Sequence, residues 1–251
     1  MKKIIKNMAL KILCFILAAG LTAVPALAQS SQKPSDKNVK IFVEYKFAKD
    51  NLLNNANIDV NVSNKTVTIS GTVPTIYDRN KAGKEAADAA ENFAVVNNLK
   101  ISGSNVPAQK IVENVLNRIH SNAFYGIFDW VNAQDTNGVV TLTGWVHIPW
   151  YKDWFQQEAE KVVGVKEIKN NIQNTFGPGS IGYRAARLIY SDPMYYGMQY
   201  MADPPIHIIV NNGSIILEGR VNSDSQSGWV EDLLRFNTDA VNVNNNLAIR
   251  S

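Results

Sequence analysis

The 251-residue chain has one cysteine, Cys14, and three histidines, His120, His147 and His207. A lone thiol closes no disulfide and builds no thiolate metal site. The histidines fall in different expected elements. None has a partner at the spacing of a metal-ligand set or a catalytic triad, so they read as solvated or satisfied side chains. No glycine-rich loop of the phosphate-cradling kind is present. Only 19% of the residues are charged. Acids such as Glu85, Asp88 and Glu91 sit on an expected helix that must expose one face, where solvation is the default. These absences argue against an enzyme, a metal, a cofactor or a small-molecule substrate.

Bulk positive charge is also scarce, although the formal net charge of +3 hides this. Lys2, Lys3, Lys6 and Lys11 precede an apolar run from Ile12 to Ala19, and Pro25-Ala26-Leu27-Ala28 ends in a small-x-small pattern. This arrangement predicts a secretory signal over residues 1–28, cleaved after Ala28. Cys14 would leave with it. Ile12-Leu13 before that cysteine are too large for a lipid-attachment site. Losing four lysines and no acid turns the formal +3 into −1. The remaining chain has no positive field to attract nucleic acid.

What the sequence does have is one stretch written three times. It reads Lys65-Thr-Val-Thr-Ile-Ser-Gly71-Thr-Val73, Gly138-Val-Val-Thr-Leu-Thr-Gly144-Trp-Val146 and Gly213-Ser-Ile-Ile-Leu-Glu-Gly219-Arg-Val221. The inner glycines, Gly71, Gly144 and Gly219, lie 73 and 75 residues apart. Apolar residues alternate around each as in a half-buried strand. The triplets Asn97-Asn98-Leu99, Asn170-Asn171-Ile172 and Asn245-Asn246-Leu247 follow. The second asparagine stands 27 residues after the glycine each time. A fixed interval through three copies predicts a tandem array of one small domain.

Each copy reads as helix, strand, strand, helix, strand. After a polar leader over residues 29–38, the domains are expected at 39–101, 108–175 and 180–250. In copy one the helices are expected at 39–51 and 77–93, with strands at 58–62, around Gly71 and at 95–101. Copy two has its first helix around Ile111 to Ile119, a strand around 128–131 and a long hairpin connection over 132–138. Pro149 opens its second helix, which runs to Val163, and a strand closes it over 165–175. Copy three carries an insertion over 194–205, a second helix over 229–236 and a closing strand over 241–249. The expected fold class is α/β: three small αββαβ sandwiches, each with two helices on one face of a three-stranded mixed sheet.

The apolar-x-apolar-x-Gly-x-Val motif, the later Val/Ile-x-Asn-x-Leu/Ile motif and this element order together resemble the BON domain. The array is similar to periplasmic, osmotically inducible BON proteins of Gram-negative bacteria. The resemblance covers about Val39 to Ile249 and implies a periplasmic, non-enzymatic protein that binds phospholipid surfaces and supports the envelope under osmotic stress. Gly164-Val165 keeps the family's Gly-Val before the last strand, whereas Glu91-Asn92 and Asp239-Ala240 depart from it, so the outer copies are expected to turn differently there. The KH modules that grip RNA share the element order. They need a Gly-x-x-Gly loop between helices, which no copy has.

Aromatic residues concentrate in copy two, at Trp145, Trp150, Tyr151, Trp154 and Phe155. Ile148, Tyr151, Phe155, Ala159 and Val162 form a core stripe, and Trp150 and Trp154 fall beside it. Trp145 is out of phase with Val140, Leu142 and Val146, and so faces the other side of the sheet. Tryptophan suits a headgroup boundary, and Lys152 and Lys161 nearby suit anionic headgroups. The alternative is packing between copies. Tyr195, Tyr196 and Met198 in the insertion offer a second adaptable surface. The expected partner is therefore a phospholipid membrane surface, bound peripherally. The alternative is an envelope protein docked by a scaffold or chaperone-like module.

Overall fold

The computed structural model describes residues 35–49, 56–103, 105–175 and 177–250. The expected signal over 1–28, the leader up to residue 34 and the end of the first helix at Asp50 and Asn51 lie outside the described residues.

Copy one consists of α1 (Asp36–Lys49), β1 (Asn57–Ser63), β2 (Thr66–Val73), α2 (Ile76–Ala90) and β3 (Ala94–Ile101). The central strand β2 runs antiparallel to β1 and parallel to β3. The hairpin turns on Asn64-Lys65, both at positive φ, in the manner of the tight turns that match strand twist. Thr75 caps α2 by accepting from the Asp78 N–H. Val39, Val43 and Phe47 of α1 and Ala82, Ala86 and Ala90 of α2 close over Val67, Ile69 and Leu99 as one core. The alanines let α2 approach the sheet closely. The first turn of α1 takes up residues 36–38, which the sequence reading placed in the leader.

Copy two repeats the pattern with α3 (Ala108–His120), β4 (Trp130–Thr136), β5 (Val139–Val146), α4 (Tyr151–Glu160), β6 (Glu167–Asn170) and β7 (Gln173–Asn174). The expected long connection over 132–138 is not there. β4 continues to Thr136, and the turn is the two residues Asn137-Gly138. The polar residues Asn132 and Gln134 alternate with buried Val131 and Ala133, which is a half-buried strand with one face wet. The closing strand is broken at Asn171-Ile172. There the Asn170 side chain takes the Ile172 N–H in place of a continuous ladder.

Copy three consists of α5 (Gly179–Tyr190), a 3-10 turn (Met198–Tyr200), β8 (Ile206–Asn211), β9 (Ser214–Val221), α6 (Asp224–Asn237), β10 (Val243–Asn245) and β11 (Ala248–Ile249). α6 begins a turn earlier than expected. Ser223 caps it by accepting from Gln226 N–H, and the Gln226 side chain reaches back to Asn222 N–H. At the family's Gly-Val position, Gly164 adopts φ 102° and Glu91 adopts φ 46°, so copy one takes a positive φ there without glycine. Copy three instead leaves α6 through an extended Thr238.

The copies also touch. Ile76 of copy one joins the core of copy two, and Ile127 and Phe128 of copy two pack on the core of copy three. Among the described residues no helix is long and apolar enough to cross a membrane.

Candidate functional site

The aromatic residues of copy two gather where α4 begins. Phe124, in the loop after α3, lies edge-on to Trp150 at 5.1 Å and to Trp154 at 5.6 Å, and it stacks on Tyr151 at 5.7 Å. Trp150 and Trp154 meet edge to face at 6.1 Å. Such pairs hold one another in place more firmly than area alone would. Trp150 is 47% exposed and Phe124 41%, so together they form an apolar ledge. Trp154 leans on the core of copy two, with its indole N–H buried and unpartnered among the described residues. Phe124 escapes a reading of the sequence because it lies in a loop, outside any periodic stripe.

The two lysines behave differently. Lys152 is half-buried in the first turn of α4 and has no ion pair among the described residues. Lys161 is engaged. Its Nζ lies 2.5 Å from Glu158 and 5.0 Å over the ring of Tyr77 in copy one. Arg118 grips the other oxygen of Glu158 at 2.9 Å. Burial raises the Glu158 pKa, but the hydrogen bonds and charges of Lys161 and Arg118 outweigh it and hold the carboxyl below its ordinary range. Asn80 also donates to Glu160 at 3.3 Å, so the end of α4 serves as an interface with α2. Packing between copies thus uses Lys161, while the ledge at the start of α4 stays open.

Trp145 is half-buried and pairs across the strands with Trp130, on the sheet face away from Val140, Leu142 and Val146. In the insertion, Tyr195 offers no contact surface. It is only 4% exposed and stacks on Trp229 at 6.2 Å, because the chain turns it under the copy's own core. Its neighbours Tyr196, Met198, Tyr200 and Met201 are exposed, Tyr200 to 86%.

Each histidine lies against an aspartate. His147 donates from both its backbone N–H, at 3.0 Å, and its ring Nδ1, at 2.9 Å, to the buried Asp129. His120 and His207 both face Asp203, which lies in neither of their elements. Among the described residues no cluster of three or more potential ligands is arranged to hold a metal ion.

The BON domain family profile matches residues 35–103, 109–174 and 198–251. Among solved structures, the C-terminal domain of CdsD, the structural protein of the type III secretion system of Chlamydia trachomatis, is 12% identical. That match covers 90% of this chain and 100% of that one, at a TM-score of 0.26. A second structure of CdsD from the same organism is 12% identical over 84% of this chain and 91% of that one, at a TM-score of 0.23. No curated protein matches this chain.

Proposed function

This chain belongs to the BON domain family, with three BON domains in tandem, and from that premise we propose that it is a periplasmic protein that binds phospholipid surfaces peripherally through the Phe124–Trp150–Trp154 ledge. BON domains are associated with phospholipid binding and with osmotic-stress proteins, and they are generally non-enzymatic binding modules. The observation that carries the reading is the exposed aromatic pair Phe124 and Trp150, with Lys152 two residues on and without an ion pair among the described residues. Indole and phenyl rings partition to the headgroup boundary, and a nearby ammonium adds attraction to anionic lipid. Lys161 is left out of this contact because Glu158 and Tyr77 already occupy it. In this reading the protein supports the envelope under osmotic stress, after export and cleavage behind Ala28.

The test is flotation of residues 29–251 with anionic and with neutral vesicles, following tryptophan emission. Co-flotation with a blue shift supports the ledge, and its loss in Phe124→Ala plus Trp150→Ala locates it. Flotation that survives both substitutions overturns the assignment.

The second reading is a scaffold that docks another envelope protein. It is favoured by the exposed Tyr196, Tyr200 and Met201 on the insertion. A pull-down from periplasmic extract that is unchanged by replacing these three with serine would remove it.

A further inference from the structure

Between copies two and three lies a cleft of about 790 Å³, with His120 and Asp203 on its wall. His120 ends α3. Its Nε2 lies 3.0 Å from the carbonyl of Val131. A carbonyl only accepts, so Nε2 carries the hydrogen. The other nitrogen, Nδ1, faces Asp203 Oδ1 at 3.5 Å. His207 repeats the arrangement from the other side. It is 0% exposed, and its Nδ1 lies 3.1 Å from the carbonyl of Gly126, which again places the hydrogen there. Its Nε2 faces the same Asp203 oxygen at 3.6 Å. In the neutral state both imidazoles therefore turn a bare lone pair toward a carboxylate, which itself only accepts. That arrangement has no bonding hydrogen and is repulsive. A second proton on either ring converts it into a charged donor–acceptor contact.

The surroundings suit that proton. Trp130 lies 5.0 Å from His207, and Tyr125 stacks on His120 at 4.5 Å, so the faces of aromatic rings receive an imidazolium. Glu218 is the cross-strand partner of His207 on β9. Tyr125 and Asp129 complete the loop side, while Glu113 from α3, Arg220 from β9 and Arg250 line the same cleft. Asp203 is 60% exposed on the insertion and is free to swing into solvent when neither ring is charged.

We propose that Asp203 is a proton-operated latch: it closes the insertion of copy three onto His120 of copy two and His207 of its own sheet when an imidazole is doubly protonated, and releases it when both are neutral. The contact tethers a segment that also carries Tyr196, Met198 and Tyr200, so the latch sets the mobility of that surface. Hydrogen bonds to His120 and His207 hold the Asp203 carboxyl far below the usual carboxylate range. Asp203 therefore stays ionised through mild acid. The stability contributed by its lowered pKa is lost as pH falls through the lower folded value, and, because it needs a protonated ring, it is lost again as pH rises and the rings become neutral. The latch is closed while a ring carries its second proton and opens as pH rises and that proton leaves.

The experiment is hydrogen exchange of the full chain over residues 194–206 at about pH 5.5 and about pH 8, corrected for intrinsic exchange rates. It compares the wild type with Asp203→Asn, with and without chelator. A one-proton latch changes protection by at most about tenfold per pH unit. The expected result is stronger protection at the lower pH in the wild type, and a pH-independent, weaker protection in Asp203→Asn. Equal protection at both pH values overturns the latch, as does a pH response that persists in Asp203→Asn or that vanishes with chelator. His120→Gln, at a helix end, provides a second variant in which the response must shrink.

Discussion

Asn170 donates its side-chain amide to the carbonyl of Lys152 at 3.0 Å, stitching the closing strand of copy two to the first turn of α4. The same bond joins Asn97 to Arg79 at 2.9 Å and Asn245 to Ser227 at 3.1 Å. In each copy the asparagine oxygen also takes the N–H two residues later. The tie is made by the first asparagine of each triplet, so the fixed spacing of the triplet from the glycine is the spacing between the central strand and the bond that closes the domain.

Replacing Asn170 with Ala removes both halves of that tie. The loss is expected to lower stability by about 1–3 kcal/mol, since the N–H of Ile172 and the carbonyl of Lys152 are left half-buried without their partner. Urea unfolding followed by far-UV circular dichroism measures it. Asn170→Asp keeps the acceptor but not the donor, and is expected to recover only part of the loss.

The repeated glycines make a second prediction. A Cβ on Gly144 would lie 1.9 Å from the carbonyl oxygen of Trp130, at a φ of 116°. Gly71 and Gly219 meet the carbonyls of Asn57 and Pro205 in the same way. Strand β4 must move, so Gly144→Ala is expected to cost more than about 3 kcal/mol and to unfold copy two. Gly197→Ala, where φ is 80° and a Cβ meets nothing within 4 Å, is expected to cost only about 1 kcal/mol. Thermal melts of the two variants check the contrast.

Glu158 supplies a pH dependence. Its folded pKa is depressed, so its contribution to stability is present above the ordinary carboxylate range and is lost as pH falls through the lower folded value. Glu158→Gln is expected to cost about 1–2 kcal/mol near neutral pH, where Arg118 and Lys161 lose their shared anion. The cost is expected to fade in acid. Denaturation midpoints measured over that pH range, against the wild type, would expose a flat difference if the pairing contributes nothing.

The tryptophans should separate by role. Trp150→Ala removes an exposed ring and is expected to change stability by less than about 1 kcal/mol while weakening vesicle binding. Trp154→Ala empties a place against the core and is expected to cost about 2–4 kcal/mol. Chemical denaturation alongside flotation distinguishes the two. Equal stability losses would mean that Trp150 is structural too.

The array and most of each copy are legible from periodicity alone. The alternation around Gly71, Gly144 and Gly219 is local, because the backbone within a few residues decides it. Polar strand faces are not legible in this way, which is why most of β4 reads as a connection. The alternation of Val131 and Ala133 with Asn132 and Gln134 carries too little hydrophobic contrast.

By itself, then, the sequence determined three domains, their element order, the central glycine strand and the aromatic excess of copy two. These follow from side-chain periods of two and 3.6 residues and from backbone sterics. Only the tertiary structure decided that Phe124 joins Trp150, that Tyr195 is buried under its own copy and that Lys161 faces copy one. It alone brought His120, Asp203 and His207 together. Those outcomes depend on how one copy packs against the next. Contacts between residues from separate elements and separate copies leave no period in the chain for a reader to detect.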